Sequence, residues 1–149
     1  MPIGEICNRE VVVSFPKESA VEAARLMRQY HVGDLVIVEE GKDRRIPVGI
    51  VTDRDLVVEV MAKEVDPARF TVGDLMTREL LTVREGDGIY ETIQRMRTHG
   101  VRRVPVVDAG GGLVGIVSID DLFSLLAEEM TDLVRVTSRE QAVEAAARH

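Results

Sequence analysis

Tryptophan is absent from this chain of 149 residues, and aromatic side chains of all kinds make up 3% of it. Two tyrosines and three phenylalanines give no platform for stacking successive bases of a nucleic-acid strand. Basic charge is also short: 19 Lys and Arg stand against 26 Asp and Glu, and the net charge of -7 repels a polyanion. These two shortages argue against nucleic acid, yet they leave room for one nucleotide wherever arginines cluster. The single cysteine, Cys7, cannot close an internal disulfide, which fits a reducing cytosol. No apolar run approaches the ~20 residues of a membrane span, and the N-terminus lacks the apolar core of a signal peptide. The expectation is a soluble, cytoplasmic protein with no membrane partner.

Residues that usually carry chemistry are missing as well. His31 and His99 do not correspond in the repeat described below, and no paired ligand spacing surrounds either, so no metal is expected. Gly110-Gly111-Gly112 lacks the Lys-Ser/Thr that follows a phosphate-cradling loop. Asp53 and Asp55 could be imagined as general acid and base, but helix capping explains them more simply. Cys7 falls opposite Met76, which fits a small buried side chain rather than a nucleophile. No catalytic residue is expected, and no cofactor is required.

What is present is a duplication. Gly49-Ile50-Val51-Thr52-Asp53-Arg54-Asp55 is echoed 66 residues later by Gly115-Ile116-Val117-Ser118-Ile119-Asp120-Asp121. Upstream the offset is 69: Ile3-Gly4-Glu5-Ile6 aligns with Val72-Gly73-Asp74-Leu75, Arg9-Glu10 with Arg78-Glu79, and Met27-Arg28 with Met96-Arg97. The three-residue difference falls between Val38 and Val48 in the first copy and between Val107 and Val114 in the second, in loops that carry the turn-like Gly41-Lys42-Asp43 and Gly110-Gly111-Gly112, where it leaves flanking strands undisturbed.

Each copy reads as strand, helix, strand, strand, helix. Val11-Val12-Val13 is short and β-branched. Ser19 caps a helix with Glu22 as its capping-box partner, and Val21, Ala24 and Met27 form the buried stripe. Ile89, Ile93 and Met96 repeat that stripe. Leu35 to Val38 and Val48 to Val51 form a buried hairpin, as do Val104 to Val107 and Leu113 to Val117. Pro105 cannot donate to a ladder, so its strand is an edge there or turns its N side to the other repeat. Helices follow over 53–62 and 119–130. Asp66-Pro67-Ala68-Arg69 is a linker too short for independent domains, so the halves pack together. Ser138 and Gln141 cap a separate C-terminal helix within 131–149.

Thr52-x-x-Asp55 and Ser118-x-x-Asp121 have two readings. A hydroxyl and an acid three residues on make a good helix start, worth about 1 kcal/mol and implying no function. The same pair is what a ribose needs, because the carboxylate accepts from both sugar hydroxyls and the helix N-terminus favours a phosphate.

Val72 to Thr77 as an opening, Gly100 to Asp108 as a middle, and the two Gly-Ile-Val-hydroxyl-x-x-Asp segments together resemble a tandem pair of CBS domains, the cystathionine β-synthase type of regulatory module. The likeness covers residues 3 to 130. It implies an α+β fold: two β-α-β-β-α repeats, 3–64 and 72–130, packed by a pseudo-two-fold into one Bateman-type module; residues 131–149 lie outside the likeness and are expected, from their own pattern, to add a helix. It also implies two clefts that bind an adenosine-containing ligand such as AMP, ADP, ATP or S-adenosylmethionine. By that resemblance Thr52 and Asp55 hold ribose in one cleft, and Ser118 and Asp121 hold it in the other. Ile50 and Ile116 contact adenine. Gly33, Asp34, Arg102, Arg103, Val104 and Pro105 lie before or on the middle strands, near base and phosphates, and Arg54 is placed for a phosphate. Asp120 stands where the first copy has Arg54, and Asp34 where the second has Arg103, so the Thr52 cleft is expected to be the better nucleotide site. The resemblance further implies a homodimer formed through helices, with Leu56, Val57, Val60, Leu122, Leu125 and Leu126 either supplying that surface or facing the core. The expected output is regulation of an unidentified protein, the alternative being a ligand-independent dimerisation or interaction module.

Overall fold

Two three-stranded sheets carry the two repeats in the computed structural model, which describes residues 1–77 and 79–148. Arg78, matched above with Arg9, and His149 lie outside the described residues. The chain divides into two units, Met1–Val117 and Ser118–His149.

In the first repeat β1 (Val13–Ser14) pairs in parallel with β2 (Asp34–Gly41), and β2 pairs antiparallel with β3 (Arg44–Thr52). The apolar run Leu35 to Val38 is fully buried, as expected of a central strand covered on both faces. The expected strand over Val11 to Val13 shrinks to Val13–Ser14. Val12 joins the sheet only through its carbonyl, which accepts from the Val36 N–H at 3.1 Å.

Helix α1 (Ala20–Tyr30) is capped by Ser19 Oγ, which accepts from the Glu22 N–H. The Glu22 side chain does not close the expected box; it pairs with Arg25 one turn on. Met27 of the expected stripe is buried, but Ala20 and Ala23 complete the buried face in place of Val21, which is half-buried, and Ala24, which is exposed. His31 ends the helix in the left-handed region at φ 54°, where the second repeat has Gly100 at φ 63°. The expected helix over 53–62 is present but is not α throughout. A single turn, α2 (Asp53–Asp55), passes into a π-helix over Leu56–Met61, closed by the Ala62 N–H on the Val57 carbonyl.

A short helix, α3 (Val72–Leu75), opens the second repeat. Its sheet runs β4 (Val83–Arg84), β5 (Arg103–Val107), β6 (Leu113–Ser118), with α4 (Ile89–His99) between β4 and β5. The buried residues of α4 are Thr92 and Met96, while Ile89 and Ile93 are half-buried. β5 is the central strand, so Pro105 is not on an edge in the sheet order. It is tolerated because β4 is only two residues long and pairs from Val106 onward. At the β5–β6 tip the Asp108 carboxylate accepts from the N–H groups of Gly110 and Gly112. The Gly112 N–H foremost, with that of Gly110 and the Arg44 guanidinium, holds its carboxyl below the ordinary range.

The openings of the two repeats are exchanged. The N–H groups of Ile3 and Gly4 donate to the carbonyls of Asp87 and Glu85 in the second repeat. Those of Val72 and Gly73 donate to Glu18 and Pro16 in the first. All four pairs agree with the 69-residue offset. The exchange continues downstream, where Asn8 bridges Ile116 and the Thr77 N–H reaches the Ile50 carbonyl at 3.4 Å. Val72 and Leu75 are therefore part of the core of the first repeat, beside Ala20, Leu35 and Val51. Fully burying a Val or Ile side chain is worth about 1.5–3 kcal/mol, so Ile3 and Val72, both at 0% exposure, anchor the exchange strongly.

The second unit is one helix, α5 (Ile119–Ala147), of 29 residues. The expected break near residue 131 does not occur, and Ser138 lies inside the helix rather than at a cap. Pairs such as Asp132 with Arg135 and Glu144 with Arg148 line its exposed face.

Candidate functional site

The end of β3 and the start of α2 form a corner because Thr52 is extended (φ -112°, ψ 162°) and the next residues turn helical. Thr52 Oγ1 accepts from the Asp55 N–H at 3.2 Å, and the Thr52 N–H donates to Asp55 Oδ2 at 2.8 Å. Both capping bonds use one oxygen each, so Asp55 Oδ1 has no donor among the described residues. Ser118 and Asp121 build the same box at the head of α5, with bonds of 3.2 and 2.7 Å. There the hydroxyl also donates to Asp121 Oδ2 at 2.9 Å, so its proton is already engaged. The capping reading of both motifs therefore holds, and it leaves the Thr52 corner with more free hydrogen-bonding capacity.

Beside the Thr52 corner lies a cleft of about 360 Å³ within the first unit. One wall is Ile50, Thr52, Asp53 and Arg54 from the first repeat; the other is Thr77, Glu79, Leu80, Leu81, Val101, Arg102 and Arg103 from the second. The exchanged opening segment supplies the near edge of the second wall, since Thr77 is bonded to Ile50. The structure thus brings Ile50, Thr52, Arg54, Arg102 and Arg103 to one place. Asp55 is not among the lining residues. Gly33 sits on the far side of the corner, where its carbonyl accepts from the Asp53 N–H at 2.9 Å. A Cβ at Gly33 would meet Asp53 Oδ2 at 3.1 Å.

Val104 and Pro105 are buried in the central strand and do not line this cleft. Ile116 is half-buried and exchanges both backbone hydrogen bonds with Asn8. Thr77, Leu80 and Leu81 were not foreseen as site residues. The signal for them was an apolar pair in an irregular stretch just after the repeat opening, at the positions matching Val11 and Val12.

The cleft's electrostatics rest on its arginines. Arg54 and Arg102 are exposed, and their guanidinium groups have no acid partner among the described residues. Arg103 Nε lies 3.8 Å from Asp34 Oδ1. Asp34 is pushed above its ordinary value, first by burial and also by Asp53, against the opposing pull of Arg103. Asp53 and Glu79 are the acids on the walls. No cluster of three or more His, Cys, Asp or Glu among the described residues is arranged to hold a metal. No helix among them is long and apolar enough to cross a membrane.

Comparison with known proteins matches the chain twice to the CBS domain model, over residues 3–62 and 72–128. An uncharacterised protein of Methanopyrus kandleri is 39% identical over 123 residues, 83% of this chain but only 61% of that protein. Hypoxic response protein 1 of Mycobacterium tuberculosis is 36% identical over 124 residues, 83% of this chain and 84% of that one. A crystal structure of Hypoxic Response Protein I with two coordinated zinc ions superposes with a TM-score of 0.71, covering 83% of this chain and 98% of that chain. The CBS domain pair of protein MJ0100, in complex with 5'-methylthioadenosine and S-adenosyl-L-methionine, is 26% identical with a TM-score of 0.74, covering 87% and 98%.

Proposed function

From the premise that this chain belongs to the CBS domain family, we propose that it is a regulatory module without catalysis of its own, which binds an adenosine nucleotide in the Thr52 cleft. The observation that carries the reading is the meeting of two guanidiniums without an acid partner among the described residues, Arg54 and Arg102, with the Thr52 corner across an apolar slot of Ile50, Leu80, Leu81 and Val101. The slot takes the base, the corner takes the ribose diol, and the arginines take the phosphate. The ligands bound by the MJ0100 domain pair support the adenosine half of this reading. The arginines favour AMP, ADP or ATP over S-adenosylmethionine, whose sulfonium and ammonium they repel. Regulation then follows from the ligand's differential affinity for two arrangements of the exchanged repeats.

Calorimetric titration of AMP, ATP and S-adenosylmethionine into the wild type and Asp55→Ala tests the assignment. The mutant loses the carboxylate that accepts from the Thr52 N–H and braces the corner from behind, so its affinity falls; an unchanged affinity refutes the site. A true ligand at 100 times its Kd also raises stability by about 2.7 kcal/mol.

The second reading, a ligand-independent interaction module, is favoured by one feature. Phe123, Leu126, Met130, Leu133 and Val134 are all at least half exposed on α5 and recur at helical spacing. On this reading the stripe joins two copies into a homodimer. Of the other residues first considered for that surface, Val60 and Leu122 are buried, whereas Val57 and Leu126 are exposed. Sedimentation decides it, and a clean monomer at micromolar concentration speaks against it.

A further inference from the structure

Asp34 and Arg103 occupy the same position in the two repeats, 69 residues apart, and they meet. Asp34 Oδ1 lies 3.8 Å from Arg103 Nε, with the side chains 27% and 31% exposed. Of the three arginines lining the Thr52 cleft, Arg103 alone is held by an acid among the described residues. From this geometry we infer that Asp34 is a built-in competitor for the ligand's phosphate: it holds the Arg103 guanidinium, and the cleft gains that third arginine only when an anion displaces the carboxylate. This rests on the nucleotide reading of the cleft and adds the residue that sets its affinity and phosphate preference.

Three features make Asp34 a competitor rather than a permanent brace. A charge-assisted N–H···O bond spans about 2.7–2.9 Å, so a pair at 3.8 Å is an ion pair without a hydrogen bond and exchanges readily. Guanidinium presents five N–H donors in a fixed fork, so an anion in the cleft can engage Arg103 in a bidentate way that this single approach of Asp34 does not reach. Finally, two charged groups face Asp34: Arg103 from β5 and Asp53 from α2. Burial and Asp53 together outweigh Arg103, so the fold keeps this carboxylate charged at some expense of stability. That is a weak arrangement for a structural ion pair and a suitable one for a partner that must be released.

The test is calorimetry with AMP and ATP, and with adenosine as the phosphate-free control. The proteins are the wild type, Asp34→Asn, Arg103→Gln and the double variant, with Asp34→Ser as a second removal of the acid should Asn misfold. Asp34→Asn is expected to tighten AMP and ATP by roughly five- to tenfold, the equivalent of releasing one partly buried ion pair, and to leave adenosine unchanged. Arg103→Gln weakens both nucleotides, and in that background removing Asp34 gains nothing. The inference is overturned if removing Asp34 leaves nucleotide affinity unchanged, weakens it, or shifts nucleotide and adenosine alike. A protein that binds none of the three compounds overturns the nucleotide reading itself, whereas binding with an unaltered nucleotide-to-adenosine ratio removes only the competitor.

Discussion

Gly49→Ala is the sharpest probe of how the exchange builds the cleft. Gly49 lies under the crossing segment: a Cβ there would stand 2.8 Å from Met76 Cβ and Sδ and 3.0 Å from Cγ. Non-bonded carbons rest at about 3.5–4.0 Å, so the overlap approaches 1 Å. Met76 Cβ is fixed to the backbone, and rotating the side chain does not relieve that contact. The segment must move away from β3, taking Thr77 and its long bond to the Ile50 carbonyl with it. Overpacking of this kind costs about 1–3 kcal/mol. At about 2–4 °C per kcal/mol for a chain of this size, the melting temperature falls by roughly 2–12 °C. The displaced segment supplies the near edge of one wall of the cleft through Thr77, so AMP affinity should fall about tenfold, the equivalent of about 1.4 kcal/mol. Gly115→Ala is the matched control. Its Cβ would meet Cys7 Sγ at 2.6 Å and the Asn8 carbonyl at 2.9 Å, at the other crossing. It should destabilise comparably yet leave affinity at the Thr52 cleft intact. Differential scanning calorimetry and isothermal titration on both variants read the two effects separately. Equal losses of affinity, or a Gly49→Ala protein that melts like the wild type, refute the argument.

His31→Gly should stabilise the chain by about 1 kcal/mol, because a left-handed non-glycine residue costs about 1–2 kcal/mol and Gly100 already fills the matching cap; an unchanged or lower melting temperature would contradict this. Thr52→Ala removes the cap of α2 and should cost about 0.5–2 kcal/mol by denaturant unfolding, with AMP affinity falling as well. The Asp34 carboxyl titrates above its ordinary 3.8 in the folded chain. Its contribution to stability is therefore fully present below 3.8 and is lost as pH rises through the folded value. Asp34→Asn should accordingly gain in melting temperature relative to the wild type as pH rises from 3.8 to neutrality; a gap that narrows with pH would reverse the sign.

The parts of the fold carried by local pattern were legible. The run Leu35 to Val38 has the pattern of a covered strand, and the echo at offsets of 69 and then 66 located the second hairpin and both corners. What escaped depends on tertiary partners. Val11 and Val12 have strand propensity, but at most one carbonyl of theirs finds the ladder, since β1 reaches β2 only at Val13 and Ser14. Ser138 with Gln141 imitates a helix start, yet the helical ladder and the flanking i,i+3 and i,i+4 ion pairs carry α5 straight through it. Thr77, Leu80 and Leu81 reach the cleft only because the openings are exchanged, and nothing local in the sequence announces an exchange. Arg102 and Arg103 were legible as a cluster; that Arg103 meets its own counterpart was not, because contact between equivalent positions requires the symmetry of the assembled repeats.

On the proposed nucleotide reading, the exchange also gives the duplication a part in sensing. A cleft formed within one repeat could fill without informing the other. Here the wall that faces Thr52 belongs to the second repeat, and the segment that positions it is anchored in the core of the first through Val72 and Leu75. A ligand that draws the two walls together therefore acts on a joint that each repeat needs for its own core. The symmetry is broken in charge at Asp34 and Arg103, so an anion pulls on one side of that joint and not the other. A ligand without a phosphate can fill the slot between Ile50 and Leu81, but it has nothing with which to take Arg103 from Asp34. Occupancy and signal should then separate: adenosine protects the cleft, and only a phosphorylated nucleoside moves the joint.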